Sequence, residues 1–336
     1  SRPRIDLVVE QTFTNLSAAD VVVDERSAFA EHVLIGLSEQ PRRLSSRYFY
    51  DARGSALFEE IMTLPEYYPT RTEAAILKAH AAEMFAHLDA PSINLVDLGA
   101  GNAAKTAIVL DALAALGVSV RYVPIDISEA AIAGCVSGVG ARFPQLQIQG
   151  IVAEYGVGLN WLANHTDRPT VVLFLGSNIG NFDVPRAKGF LRRLWSGLNA
   201  GDHVLIGFDL KKEIDILLDA YNDAAGVTAS FNLNLLHRIN TELGGHFPLD
   251  RWRHFATYNV VSGAMESFLV AMERQSVRID ELDLVFEFRA WEAIHTEFSY
   301  KYLLSDITHL AEATHFRIAR TDGDDRGWFA TSLWQV

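Results

Sequence analysis

From residue 92 onward, short apolar runs alternate with longer amphipathic stretches. "INLVDLG" (Ile93–Gly99) is apolar and stops at a glycine, and a helical pattern follows over Ala103–Leu116. "SVRYVPIDIS" (Ser119–Ser128) reads as the next strand, with Ser128 as N-cap of the helix behind it. "LQIQGIVAEY" (Leu146–Tyr155) and "TVVLFLG" (Thr170–Gly176) are two more strands. The second is apolar throughout, as a strand covered on both faces must be. A helix over Pro185–Leu198 and a strand over Asp202–Leu210 complete the series. Strands alternating with helices predict a doubly wound, mostly parallel α/β sheet.

The alternation stops at residue 211 and resumes near 300. A helix, Tyr302–His315, then precedes two short strands, Phe316–Arg320 and Trp328–Val336, joined by the turn-rich "TDGDDRG". An antiparallel hairpin is expected to close the sheet. The expected layout is a sheet domain over 72–210 and 301–336. The insertion 211–300 joins the N-terminal segment 1–71 in a second, smaller substrate domain. The insertion ends in "HTEFSYKY" (His295–Tyr302). Read as a strand, this places Glu297, Ser299 and Lys301 on one face and Phe298, Tyr300 and Tyr302 on the other. The aromatic face reads as core. The polar face reads as facing water or a ligand, with Lys301 nearer the rim.

Composition narrows the partners. The chain has 336 residues and a net charge of −13, which disfavours a nucleic-acid backbone or an anionic membrane surface. No apolar run reaches the ~18 residues of a membrane span, and "SRPRIDLVVEQ" lacks the apolar core of a signal peptide. A cytoplasmic protein acting on a small molecule, monomeric and without a metal, is the expectation. The one cysteine, Cys135, lies in the small-residue stretch "AAIAGCVSGV" and reads as buried packing.

The candidate chemistry begins at "VDLGAGNAAKT" (Val96–Thr106). Gly99 and Gly101 allow a sharp turn and close approach to a ligand, and Asp97 gives the pattern D-x-G-x-G. The loop also satisfies G-x-G-x-x-A loosely, which leaves a nicotinamide cofactor open. Asp126 ends the second strand, where a carboxylate can accept both hydroxyls of a ribose. Glu154 and Tyr155, an acid beside a ring, end the third. With the closing hairpin, this set resembles the class I S-adenosylmethionine methyltransferase fold. That resemblance implies S-adenosylmethionine as cofactor, held by Asp97, Gly99, Gly101, Lys105, Asp126, Glu154, Tyr155 and Gly176.

Two further stretches are loaded with polar and aromatic groups. "FLGSNIGNF" (Phe174–Phe182) follows the fourth strand and offers amides at Asn178 and Asn181. "LPEYYPTRTE" (Leu64–Glu73) sets Tyr67 and Tyr68 between prolines, a rigid setting for rings held against a ligand. Together with "YFYDARGSALFEEIM", "AYNDAAGVTASFN" and "TEFSYK", they are similar to signature stretches of the L-histidine Nα-methyltransferases of ergothioneine biosynthesis. The resemblance runs from about residue 25 to the end.

It implies trimethylation of the α-amine of histidine to hercynine. Asn181 and Tyr221 would hold the substrate carboxylate, with Tyr67 beside them. Tyr50 would lie near the amine with Phe58 close by, which makes Tyr50 and Asn181 the candidate catalytic groups. Glu297 and Ser299 would bind the imidazole. Ser267 stands where the actinobacterial members are expected to carry methionine, which leaves another amino acid or small amine open as acceptor. A silent S-adenosylmethionine-binding partner protein is the remaining alternative.

Overall fold

A computed structural model of the chain describes residues 11–16, 25–88, 90–164 and 167–336. Its strands, in chain order, are β1 (Gln11–Asn15), β2 (Ser92–Leu98), β3 (Ser119–Asp126), β4 (Gln147–Val152), β5 (Thr170–Phe174), β6 (His203–Asp209), β7 (Trp252–Asn259), β8 (Ala264–Ala271), β9 (Gln275–Ile279), β10 (Leu284–Phe288), β11 (Ala293–Tyr300), β12 (Arg317–Gly323) and β13 (Phe329–Gln335). Eight of them form one sheet in the order β1-β4-β3-β2-β5-β6-β13-β12. β1 to β6 run parallel, and β13 inserts antiparallel between β6 and β12.

Local signals account for most of the boundaries. Ser128 caps the helix Glu129–Arg142, its Oγ accepting the N–H of Ala131 at 3.2 Å. Asp183 caps Val184–Ser196 in the same way, with Pro185 in the first turn. β5 is buried at all five positions, with helices covering both faces of the sheet. Two readings change. The third predicted strand stops at Val152, and Tyr155 instead opens a helix, Tyr155–Ala163. The N-terminal segment was expected to belong wholly to the smaller unit, but β1 pairs parallel with β4 at the sheet edge. A short strand supplies the ladder of N–H and C=O groups that an open edge accepts.

A separate core lies off the sheet. Phe29, Val33 and Leu37 of the helix Glu25–Ser38 pack with Phe231, Leu235 and Ile239 of the helix Val227–Leu243, and with inward residues of β8 to β11. Residues far apart in sequence thus share one hydrophobic cluster, since neither group could bury its apolar face alone. Among the described residues, no helix is long and apolar enough to cross a membrane. Cys135 is buried against the Tyr122 hydroxyl at 3.4 Å, and burial raises its thiol to about 11.

Candidate active site

The parallel strands all end at one edge of the sheet, and the polar motifs collect there. β2 and β5 are neighbours whose connections leave in opposite directions, the point where an open α/β sheet leaves a crevice. Beyond β2 the backbone turns at Gly99, with φ +75°. A Cβ there would lie 2.7 Å from the Tyr155 hydroxyl and 3.0 Å from Asn178 Nδ2, so only glycine lets the loop pass beneath them. At Gly101, also at positive φ, a Cβ would meet nothing within 4 Å; open space lies above that turn.

Asp126 stands beside this loop. Its Oδ1 accepts the Ser128 N–H at 3.0 Å. Burial raises its pKa, while the N–H groups of Ser128, Ile127 and Gly101 work the other way. Asp97 is turned inward and 2% exposed. Thr106 and Tyr122 hydroxyls donate to its Oδ2 at 2.5 and 2.9 Å, and burial lifts it to about 6. It braces the loop from below. Glu154 is exposed and faces Arg47 at 2.8 Å. Tyr155 packs edge-on against Phe174.

Lys105 and Gly176 meet through a residue that had no assigned role. Glu73 is fully buried on the same helical stripe as Ile76 and Leu77. It pairs with Lys105 at 2.5 Å and accepts the Gly176 N–H at 2.8 Å. Gly207 on β6 makes room, since a Cβ there would fall 2.0 Å from Glu73 Oε1. An acid at i−3 and i−4 from core residues was the signal available in the sequence.

Opposite these loops stands an aromatic wall. Tyr50 meets Phe58 edge-on at 5.6 Å, Phe58 meets Tyr67 at 6.2 Å, and Phe231 lies behind the first two. Asp51 holds this wall in place. It caps the helix Ala52–Thr63 through the Gly54 N–H at 2.7 Å and accepts Asn234 Nδ2 from the Val227–Leu243 helix. Burial first, with neighbouring acidic groups behind it, raises the hydroxyls of Tyr50, Tyr67 and Tyr221 well above the usual tyrosine range. At neutral pH all three are uncharged hydrogen-bond donors.

β11 closes the site. Its pairing with β8 carries a bulge between His295 and Glu297. Ile294 faces inward before the bulge, Thr296 is the buried extra residue, and Ser299 and Lys301 face inward after it, because one extra residue changes which parity points to the core. The polar face is the buried one. Phe298 is 39% exposed and Tyr300 half-buried, so of the three aromatics only Tyr302 belongs to the core. His295 joins them on the outer face, its ring 3.9 Å from that of Phe298.

Glu297 lies in register with Ser267 of β8. Burial raises its pKa to about 7, against the attraction of Lys301 and the Ser267 hydroxyl. The Ser267 side chain is itself buried beside Glu297.

Lys301 is not at the rim. Its side chain has no solvent exposure, and Nζ reaches Asp209 Oδ2 at 2.9 Å, Ser299 Oγ at 2.7 Å and the Tyr221 hydroxyl at 2.9 Å. The Tyr221 hydroxyl in turn donates to Ser299 at 2.7 Å. Asp209, the last residue of β6, also takes Lys212 at 2.5 Å and the Tyr68 hydroxyl at 2.8 Å. Nothing near Asp209 in the chain marks it except its place at a strand end.

Tyr50, Phe58, Tyr67, Asn181, Tyr221, Glu297 and Ser299 line one cavity with Gly176 and Asn178. The space among them, open mouth included, is about 590 Å³. Asp126, Glu154 and Tyr155 stand at the neighbouring strand ends, outside that lining.

A six-strand parallel run closed by an inserted antiparallel strand, with a D-x-G-x-G turn at the switch point and an acid ending the next strand, defines a class I S-adenosylmethionine-dependent methyltransferase. Within that class, residues 29–336 match the family model "Histidine-specific methyltransferase, SAM-dependent", and the chain belongs to that family. It is 40% identical to the histidine N-alpha-methyltransferase of Mycolicibacterium smegmatis, over 90% of this chain and 92% of the relative. The corresponding enzyme of Mycobacterium tuberculosis is 38% identical, over 91% and 94%. Ergothioneine biosynthesis protein 1 of Schizosaccharomyces pombe is 29% identical, over 82% of this chain and 36% of the longer relative.

Proposed function

We propose that this enzyme transfers methyl groups from S-adenosylmethionine to the α-amine of histidine, giving the trimethylated betaine hercynine. The observation that carries the reading is the pair Glu297 and Ser299. The β11 bulge turns a buried carboxylate and a buried hydroxyl into the same cavity that the Gly176–Asn181 loop enters. An imidazole has two nitrogens for such a pair to meet.

The glycine loop fits the cofactor. Open space lies above Gly101, and the Asp126 carboxylate flanks it. Asp126 would take the ribose hydroxyls, Tyr155 would lie against the adenosine part, and Gly99, Gly101 and Gly176 would allow close backbone approach. Asp97, Lys105 and Glu73 would hold those loops in place. When bound, the cofactor supplies an electrophilic methyl group for an in-line displacement.

The remaining work falls to the chain's own residues. Asn181 would hold the substrate carboxylate. Tyr221 was expected to share that role, but its proton already points to Ser299. Tyr50 and Tyr67, kept uncharged by burial, would orient the amine as hydrogen-bonding groups and would not act as bases. Together with Phe58, their rings favour an increasingly methylated, cationic nitrogen through cation–π attraction.

The test is incubation with S-adenosylmethionine and pooled amino acids, followed by mass spectrometry. Gains of one, two and three methyl groups on histidine are expected. Methylation of a different amino acid, with histidine untouched, would overturn the acceptor assignment.

A further inference from the structure

The Lys301 ammonium is a branching point between two walls of the cavity. It has three protons, and its three partners are Asp209 Oδ2, Ser299 Oγ and the Tyr221 hydroxyl. Every proton is used. Asp209 cannot release it, because Asp209 is itself held by Lys212 and by the Tyr68 hydroxyl and is fully buried. The geometry of the ammonium is therefore set from the sheet side, at the end of β6.

The consequence falls on Ser299. Its oxygen accepts from Lys301 at 2.7 Å and from the Tyr221 hydroxyl at 2.7 Å. A hydroxyl oxygen has two acceptor positions, and both are taken. Its own proton is left, and the cavity is where that proton can go. Ser299 is thereby a donor toward the ligand, while Glu297, two residues along the strand, offers a carboxylate acceptor.

Charge points the same way. The ionisable groups at this end of the cavity are the acids Glu297 and Asp209 and the bases Lys301 and Lys212, so the acids at most balance the bases, and the facing groups Tyr50, Tyr67 and Tyr221 are uncharged. No net negative charge is left to draw a cationic ring.

We propose that Lys301, anchored by Asp209, is a positioning residue that fixes Ser299 as a hydrogen-bond donor, so that the site selects the neutral imidazole and reads its unprotonated nitrogen. This rests on histidine being the acceptor. An imidazolium would bring a second N–H to an oxygen with no acceptor position free, and an indole or phenyl ring would leave the Ser299 proton unpaired.

The experiment uses the full-length protein saturated with S-adenosylhomocysteine and histidine labelled with nitrogen-15 in the ring, observed by NMR at pH 6. Free histidine is mostly cationic at that pH, its ring titrating near ~6.5. In the wild type the bound ring is expected to show one protonated and one bare nitrogen. In Lys301→Met one positive charge is gone and Ser299 regains an acceptor position. The bound ring should then be doubly protonated, with histidine affinity down roughly tenfold or more. The melting-temperature increase caused by S-adenosylhomocysteine should persist in that variant, which a general loss of structure would not allow.

A doubly protonated ring in the wild type overturns the proposal, as does a Lys301→Met protein that binds histidine with unchanged affinity and protonation. If Lys301→Met does not fold, the wild-type spectrum decides the matter alone. A wild type that binds S-adenosylhomocysteine but no histidine removes the reading on which the proposal rests, and the proposal with it.

Discussion

At the scale of single residues, Glu297 bears the greatest load. It is a carboxylate lining the cavity, and its pKa of about 7 records what its burial costs the empty protein. A group whose pKa is raised on folding stabilises relative to its charged form below the unfolded value, ~4.5, and that advantage is lost as pH rises through the folded value. Ligand-free wild type should therefore lose stability between about pH 4.5 and 7 relative to Glu297→Gln, which cannot ionise. Thermal melts of the two proteins across that range should converge at low pH, with Glu297→Gln the more stable above pH 7. Parallel curves would show that Glu297 is not buried as described.

The same residue should matter for turnover. A charge-assisted hydrogen bond is worth about 1.5–3 kcal/mol, so Glu297→Ala should lower kcat/KM for histidine roughly ten- to a hundredfold. Relative activity toward tryptophan or phenylalanine should rise in the same variant, because the truncated pocket is larger and less acidic. Wild-type kinetics and selectivity in a folded Glu297→Ala protein would reject the pocket assignment.

At the scale of elements, the strand ends and one bulge build the site. β2, β3 and β5 each stop where a loop must reach the crevice, and Gly99 and Gly176 carry the positive φ values those stops require. Asp126 is the last residue of β3, so it can be removed without disturbing the ladder. Asp126→Ala should fold but lose most of the melting-temperature increase that S-adenosylhomocysteine produces, since a ligand bound only to the native state stabilises it. A full-sized increase in the variant would move the ribose site elsewhere. The β11 bulge is the other device. The periodicity of "HTEFSYKY" showed which residues share a face, and it grouped Glu297 with Ser299 correctly. It could not show which face is inward, because that depends on the packing of β11 against β8 and on the extra residue between His295 and Glu297.

At the scale of the whole molecule, the cavity is a junction. Tyr50, Phe58 and Tyr67 come from the N-terminal helices, Asn178, Asn181 and Asp209 from the sheet edge, and Tyr221, Glu297 and Ser299 from the insertion. A substrate must touch both sides to be held in line. Histamine keeps the imidazole and the amine but lacks the carboxylate that Asn181 would bind. It should be a poor acceptor, because the amide would be left unpaired and the amine unaligned. Equal initial rates for histamine and histidine, measured at matched S-adenosylmethionine, would show that the sheet side contributes no anchoring.

The sequence alone determined what is local or periodic. The alternation of strands and helices, the glycine turn after β2, the Ser128 cap, the hairpin that closes the sheet and the pairing of Glu297 with Ser299 on one strand face all follow from spacing, propensity and backbone conformation. The tertiary structure decided what depends on long-range packing. It turned the polar face of β11 inward and left Phe298 outside. It drew Lys301 from the rim into full burial against Asp209, ninety-two residues earlier in the chain, and placed Glu73 between Lys105 and Gly176. Buried charges are tolerated only where partners meet them, and those partners lie on different elements. No window of sequence contains both members of such a pair, so only the folded chain could show them.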